Sequence, residues 1–236
     1  MIPKKIHYVW MGKQEKPKAI KKCMKTWNKF LKDYEIIEWN EDNFNIDSHP
    51  FVKAAYKAKK WAFVSDYVRA WAIYNYGGIY LDTDVFVIDS LDDLLENKAF
   101  VGYEKDEYPF TAVFGAKAKH PFIKDMLDYY DELDAYEFDF NNNNTLSVSN
   151  LLIDKYGCKT GNIEQILKTG IKVYKDEVLC NPSLNSKTVH LFYGSWTGAS
   201  KFKRFKHDFL RSKLSNKNTI KAYVTYKKIF KKQLYK

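Results

Sequence analysis

The stretch from Ser65 to Asp84, SDYVRAWAIYNYGGIYLDTD, constrains the fold of this chain more than any other. It reads as a buried helix, a double-glycine stop, and a hydrophobic strand ending in two carboxylates. Val68, Trp71, Ala72 and Ile73 make the helix apolar on most sides. Ser65, Asp66 and Arg69 fall at i, i+1 and i+4 and share one polar face. Gly77 and Gly78 suit a helix C-terminus that needs positive φ. Ile79, Tyr80 and Leu81 then read as strand. Asp82 and Asp84 are two apart, so in a strand both side chains leave the same face, at a polar and exposed end. Two carboxylates converging there attract a hard divalent cation with oxygen ligands, and such a cation can carry the phosphates of a nucleotide. The plain alternative is a strand-end pair that caps a turn.

Strands alternate with helices along the rest of the chain. Residues 4–11, 35–39, 79–81, 85–88, 99–103, 111–116, 173–174 and 188–192 read as extended. Residues 17–31, 51–60, 61–76, 121–133 and 147–156 read as helices, with a short helix at 91–95 and a loop over the asparagine run 141–144. This order implies an α/β fold with an open, mostly parallel central sheet and flanking helices. Ligands bind such sheets at the carboxyl ends of strands, where Asp82 and Asp84 sit. A chain of 236 residues fits one domain with a sizeable core.

Charge divides the chain in two. Residues 201–236 hold 13 Lys/Arg and one Asp, whereas the whole chain is only +10, so the first 200 residues are close to neutral. Phe202, Phe205, Phe209 and Leu214 follow helical spacing, and Ile220, Tyr223, Val224 and Phe230 do so less regularly. The tail 201–236 therefore reads as one or two basic, aromatic-rich amphipathic helices. Such helices lie on anionic membrane surfaces. They also pack on a protein body with their lysines in water. Nucleic acid is the least favoured partner, because no recognition motif accompanies the charge. Cys23, Cys158 and Cys180 are odd in number and lack metal-site spacing, which points to a reducing compartment. The N-terminus lacks an apolar signal region, and no run approaches the ~20 apolar residues of a membrane span. The expectation is a cytoplasmic protein, peripheral at the inner membrane face if the tail binds lipid.

Three blocks carry a resemblance to a known family: Ile6-His-Tyr-Val-Trp-Met-Gly12, Ser65 to Asp84, and His190-Leu-Phe-Tyr-Gly-Ser-Trp196. In this order they resemble the DXD-motif glycosyltransferases, which include yeast-type initiating mannosyltransferases and bacterial capsular sugar transferases. The chain is also similar to the glucosyltransferase domain of the large clostridial toxins. The resemblance implies a GT-A-type nucleotide-sugar-binding fold over residues 1–200. It implies Mn²⁺ or Mg²⁺ held directly by Asp84, with Asp82 acting through the ribose or a metal-bound water. His190 would be a third metal ligand, although the toxin-like branch uses a carboxylate there, and a satisfied core histidine is the alternative. Ser195 and Trp196 would contact the diphosphate. Trp10 would stack on the base, unless it is simply a core residue. Asp66 would accept from sugar hydroxyls and Arg69 would donate to sugar or phosphate oxygens. The alternative for that pair is an ordinary i, i+3 ion pair. Ser65 would touch base or ribose, and Tyr80 would flank the same pocket.

The expected activity is a metal-dependent, retaining transfer of a hexose or N-acetylhexosamine. The donor would be a nucleotide-diphosphate sugar, with UDP favoured. The acceptor would be a saccharide or lipid-linked saccharide in surface polysaccharide synthesis. Two other classes fit less well: a toxin-like transferase that glycosylates a protein, and a non-enzymatic basic adaptor for membranes or nucleic acid.

Overall fold

The structure, a computed structural model, describes residues 1–133, 144–193 and 213–234, with side chains described as far as residue 226. Its strands are β1 (Lys5–Val9), β2 (Glu35–Trp39), β3 (Gly78–Leu81), β4 (Val85–Val87), β5 (Ala99–Gly102), β6 (Val113–Ala116), β7 (Gln165–Ile166), β8 (Ile171–Tyr174) and β9 (Thr188–His190). Its α-helices are α1 (Lys18–Phe30), α2 (Pro50–Lys57), α3 (Trp61–Tyr76), α4 (Pro121–Asp131), α5 (Asn144–Asp154), α6 (Asp176–Leu179) and α7 (Lys217–Leu234).

Seven strands form one sheet in the order β2-β1-β3-β6-β5-β8-β7, and β4 pairs with β9 in a separate ribbon. Strands β2, β1 and β3 are parallel, as are β5 and β8, while β6 and β7 run against their neighbours. The α/β, mostly parallel sheet expected of the GT-A type is therefore the observed architecture. Side-chain alternation sorts the sheet's two faces. Val9, Tyr80, Val101 and Phe114 point to a core beneath α2, α3, α4 and α5. Ile6, Tyr8, Ile79, Leu81, Phe100 and Val113 point to a second core that includes Trp27 and Leu31 of the α1 segment. Both faces are covered, which is why these strands read as continuous apolar runs.

The structure differs from the sequence reading in local detail. The helix read over 51–60 stops at Lys57, and the chain turns through Lys59, at φ 56°, before α3 begins. Strand β3 stops at Leu81, so Asp82 and Asp84 lie in a turn between β3 and β4 and not on one face of a strand. The turn is held by Asp82 N donating to Ala112 O at 3.0 Å and Val85 N donating to Asp82 O at 3.1 Å. Three of the asparagines, 141–143, lie outside the described residues; the fourth, Asn144, opens α5.

Gly77 and Gly78 end α3 and start β3, as their residue type predicts. Gly77 has φ 65° and Gly78 φ 118°. A Cβ at Gly78 would lie 2.7 Å from Lys5 O, so only glycine lets β3 approach β1 here. His7 locks the same corner. Its Nε2–H donates to Gly77 O at 2.8 Å, and its Nδ1 accepts from Trp39 Nε1 at 3.0 Å. Accepting at Nδ1 requires the neutral ring, and burial pulls its pKa down to about 4 although the bond to Gly77 O opposes that shift. The unfolded chain therefore takes up a proton that the native chain refuses between about pH 6.5 and pH 4, so stability falls as pH drops through that window. From pH 7 to pH 5 this one group is expected to cost about 2 kcal/mol. Urea unfolding at both pH values should show that loss, and His7→Gln should remove it. An equal loss in the two proteins would mean that His7 is not the cause.

Part of the basic tail packs on the body. Leu214 and Ile220 are buried with Cys23, Phe86, Ile88, Val189 and Leu191, and Lys217 Nζ meets Asp89 Oδ2 at 2.5 Å. Among the open readings of the tail, packing is the one seen around residues 214–224. Phe202, Phe205 and Phe209 lie outside the described residues. No described helix is long and apolar enough to cross a membrane.

Candidate active site

The ribbon carries β9 back beside the Asp-x-Asp turn. Val85 of β4 pairs with His190 of β9, and Leu191 N donates to Asp84 O at 3.0 Å. Residues more than a hundred positions apart thus meet at the carboxyl end of β3. Ligand atoms of Asp82, Asp84 and His190 all lie within 4.8 Å of one another. The turn is less open than a strand end implies: 24% of the Asp82 side chain and 13% of the Asp84 side chain are exposed.

Charge balance differs sharply between the two carboxylates. Burial opposes ionisation of both. For Asp84, His190 Nε2 at 3.3 Å and the Tyr193 amide at 2.8 Å reverse that penalty and hold the carboxyl below its usual range. For Asp82, burial and the neighbouring Asp84 outweigh the pull of Arg69 and raise the pKa. Burial disfavours the His190 cation, but Asp84 more than compensates and lifts His190 well above the ordinary imidazole value. The site therefore concentrates negative charge beside one imidazole.

Beneath the turn, α3 presents the polar face that the sequence predicts. Tyr80 OH donates to Asp82 Oδ1 at 2.9 Å. Its single proton is then committed, so Ser65 Oγ donates to the Tyr80 oxygen, also at 2.9 Å. Asp66 and Arg69 are both buried and pair with each other. Arg69 also reaches Asp82 Oδ1 at 3.5 Å and stacks over Tyr80 with its guanidinium carbon 5.4 Å from the ring centroid. The ion-pair alternative for Asp66 and Arg69 is thus the contact observed. Burial and nearby Asp82 still push Asp66 up to about 6 against the pull of Arg69.

Sequence reasoning missed two members of this network. Asn144 Oδ1 accepts from Arg69 Nη2 at 2.5 Å, and Asn144 Nδ2 donates to Tyr130 OH at 2.7 Å. Asn144 belongs to the asparagine run, whose composition signals only a loop. Arg69 Nε is buried with no hydrogen-bond partner among the described residues.

Trp10 follows the end of β1. His7 pairs with Tyr80, so Trp10 stands at the same sheet edge as the Asp-x-Asp turn. It is half-buried, its Nε1 donates to Gln14 O at 2.7 Å, and Lys16 Nζ sits 5.5 Å from its ring centroid. Ser195 and Trp196 lie outside the described residues. The structure therefore gathers Ser65, Asp66, Arg69, Tyr80, Asp82, Asp84 and His190 at one locus, with Trp10 on its edge.

Residues 17–101 match the family described as the glycosyltransferase sugar-binding region containing a DXD motif. The Asp82-x-Asp84 turn lies inside the matched segment. This bears out the resemblance read from the sequence, over the segment that holds Asp66, Arg69, Asp82 and Asp84. The chain is 31% identical over 130 residues to inositol phosphoceramide mannosyltransferase 3 of Schizosaccharomyces pombe, a match covering 53% of this chain and 36% of that protein. It is 33% identical over 75 residues to the α-1,4-N-acetylglucosaminyltransferase of Homo sapiens, covering 31% of this chain and 21% of that protein. The matched part thus spans about a third of the first curated relative and about a fifth of the second. A solved glycosyltransferase involved in the glycosylation of the major capsid of PBCV-1 is 11% identical, covers 86% of this chain and 98% of that chain, and has a TM-score of 0.47. A likeness at that level carries no further argument.

The DXD trio suits a hard or borderline divalent cation. Two carboxylates and one imidazole supply oxygen and nitrogen donors within 4.8 Å of one another. Six-coordinate ions such as Mn²⁺ and Mg²⁺ would keep further positions for phosphate oxygens.

Proposed function

We propose that this chain is a metal-dependent, retaining glycosyltransferase. It moves a hexose or N-acetylhexosamine from a UDP-linked sugar to a saccharide or lipid-linked saccharide. The observation that carries the reading is the convergence of Asp82, Asp84 and His190 at the carboxyl end of β3, in a segment matched to the DXD sugar-binding region. These three residues would hold Mn²⁺ or Mg²⁺. When bound, such an ion neutralises charge on the departing diphosphate.

The protein's own residues prepare the rest. Arg69 is fixed by Asp66 and Asn144 and places a permanent positive charge beside Asp82. That charge keeps the paired carboxylates from repelling one another apart. Tyr80 and Ser65 orient Asp82 through a relay of two hydrogen bonds. The two named relatives are a mannosyltransferase acting on inositol phosphoceramide and an N-acetylglucosaminyltransferase, which supports a hexose or N-acetylhexosamine as the cargo.

The test is a donor-hydrolysis screen across UDP- and GDP-sugars with Mn²⁺. Turnover of at least one UDP-sugar, abolished by EDTA, is expected. Turnover of no donor, or turnover indifferent to EDTA, would refute the reading. Trp10 supplies a second check. Stacking on the base is worth about 1–3 kcal/mol and is felt equally in ground and transition states. Trp10→Ala should therefore raise the donor KM roughly tenfold while kcat changes little. An unchanged KM with a lowered Tm would make Trp10 a packing residue only.

A further inference from the structure

We infer that Leu214 and Ile220, in the C-terminal segment, are positioning residues for the Asp84–His190 pair and act through the chain that leaves β9; this rests on the transferase reading above and adds to it what holds the pair in place. The site is closed by the residues just after His190. Leu191 N donates to Asp84 O at 3.0 Å, and Tyr193 N donates to Asp84 Oδ2 at 2.8 Å. Phe192, between them, is left-handed at φ 53°, and its ring centroid lies 4.0 Å from that of His190. A bulky aromatic residue in that region is strained, and such strain persists only where the surroundings over-determine it.

The β4–β9 ribbon has three residues in each strand and stands outside the seven-stranded sheet. A two-stranded ribbon of that length has little stability of its own. Helix α1 anchors β4: Trp27 Nε1 donates to Val85 O at 2.8 Å, and Val87 N donates to Thr26 Oγ1 at 3.0 Å. The end of α6 anchors β9: Lys187 N donates to Val178 O and His190 N to Cys180 O, both at 2.9 Å. Those backbone anchors reach no further than His190.

The strained residues beyond it are seated by side chains. Neighbours alternate in extended chain, so Val189 and Leu191 point away from the side that carries His190. They enter an apolar cluster with Cys23, Phe86 and Ile88, which Leu214 and Ile220 close. Leu191 and Leu214 are each 3% exposed and Ile220 is 1% exposed, so Leu191 is fully seated only with the C-terminal segment in place. Lys217, paired with Asp89, pins that segment beside the end of β4. Emptying the seat frees Leu191, lets Phe192 relax and draws the Tyr193 amide off Asp84. A segment that reads as a basic appendage in the sequence is thus the back wall of the metal site.

The experiment compares the wild-type full chain with the double variant Leu214→Ala, Ile220→Ala. Leu152→Ala is the control, because it opens a cavity in the other core, on α5. Both changes lower Tm. Two quantities are read below both transitions: exchange of the Tyr193 amide proton in the ¹⁵N-labelled chain without metal, and Mn²⁺ affinity of the UDP-loaded chain. The double variant should exchange the Tyr193 amide at least tenfold faster, because the opening is local. It should bind Mn²⁺ at least tenfold more weakly, the loss that follows when the support of a metal ligand is removed. Leu152→Ala should match the wild type in both. Wild-type exchange and affinity in the double variant, or the same losses in Leu152→Ala, would overturn the inference. Leu214→Ala alone carries the same expectation, with smaller changes, should the double variant fail to fold. A wild type that bound no Mn²⁺ would fail the transferase reading, and Tyr193 exchange would still decide whether the segment holds Asp84.

Discussion

Asp84→Asn is expected to reduce sugar transfer by about a thousandfold, equivalent to about 4 kcal/mol of transition-state stabilisation. Asp84 sits at the centre of the trio, with His190 on one oxygen and the Tyr193 amide on the other. The amide substitution is nearly isosteric, and its oxygen can still accept from Tyr193. It removes the full negative charge that a divalent cation needs. The loss should therefore appear in rate while the far-ultraviolet spectrum and Tm stay close to wild type. Steady-state transfer with Mn²⁺ and the best donor from the screen measures it. Retention of a tenth of wild-type turnover would show that Asp84 does not hold the ion.

Arg69→Met should cost about 3–5 kcal/mol of stability, because it strands two carboxylates. Asp66 is buried against Arg69, and Asp82 lies 3.5 Å from it. Asn144 Oδ1 also loses its donor. In a chain of this size the loss corresponds to a Tm lower by about 10 °C. The double variant Arg69→Met, Asp66→Asn should recover part of it, because one stranded charge is then gone. Urea unfolding of the two variants tests the pairing. A loss below about 1 kcal/mol for Arg69→Met would mean that water already screens the network.

The parts legible in the sequence are those with local causes. The α3 helix, its glycine stop and β3 follow from apolar periodicity and from two residues able to adopt positive φ. The polar face of Ser65, Asp66 and Arg69 follows from helical spacing alone. His190 was legible only through the resemblance, since a histidine between apolar residues carries no signal of its own. The network around Arg69 was hidden. Asn144 is 75 residues from Arg69, and only the packing of α3 against α4 and α5 brings it there. Strand β7 was hidden because it has two residues, of which Ile166 is largely exposed, so no alternation can show. The Asp-x-Asp pair was placed at the correct sheet end but in the wrong local form. A turn and a frayed strand look alike in three residues, and the bond from Asp82 N to Ala112 O comes from a distant segment.

The most direct test of the account is calorimetric titration of Mn²⁺ into the UDP-loaded full chain. One ion per chain is expected. Binding should be lost in Asp84→Asn and weakened at least tenfold in His190→Ala, because ligand atoms of all three side chains lie within 4.8 Å of one another. Binding unchanged in His190→Ala, or no Mn²⁺ bound by the wild type, would contradict a metal centre shared by Asp82, Asp84 and His190.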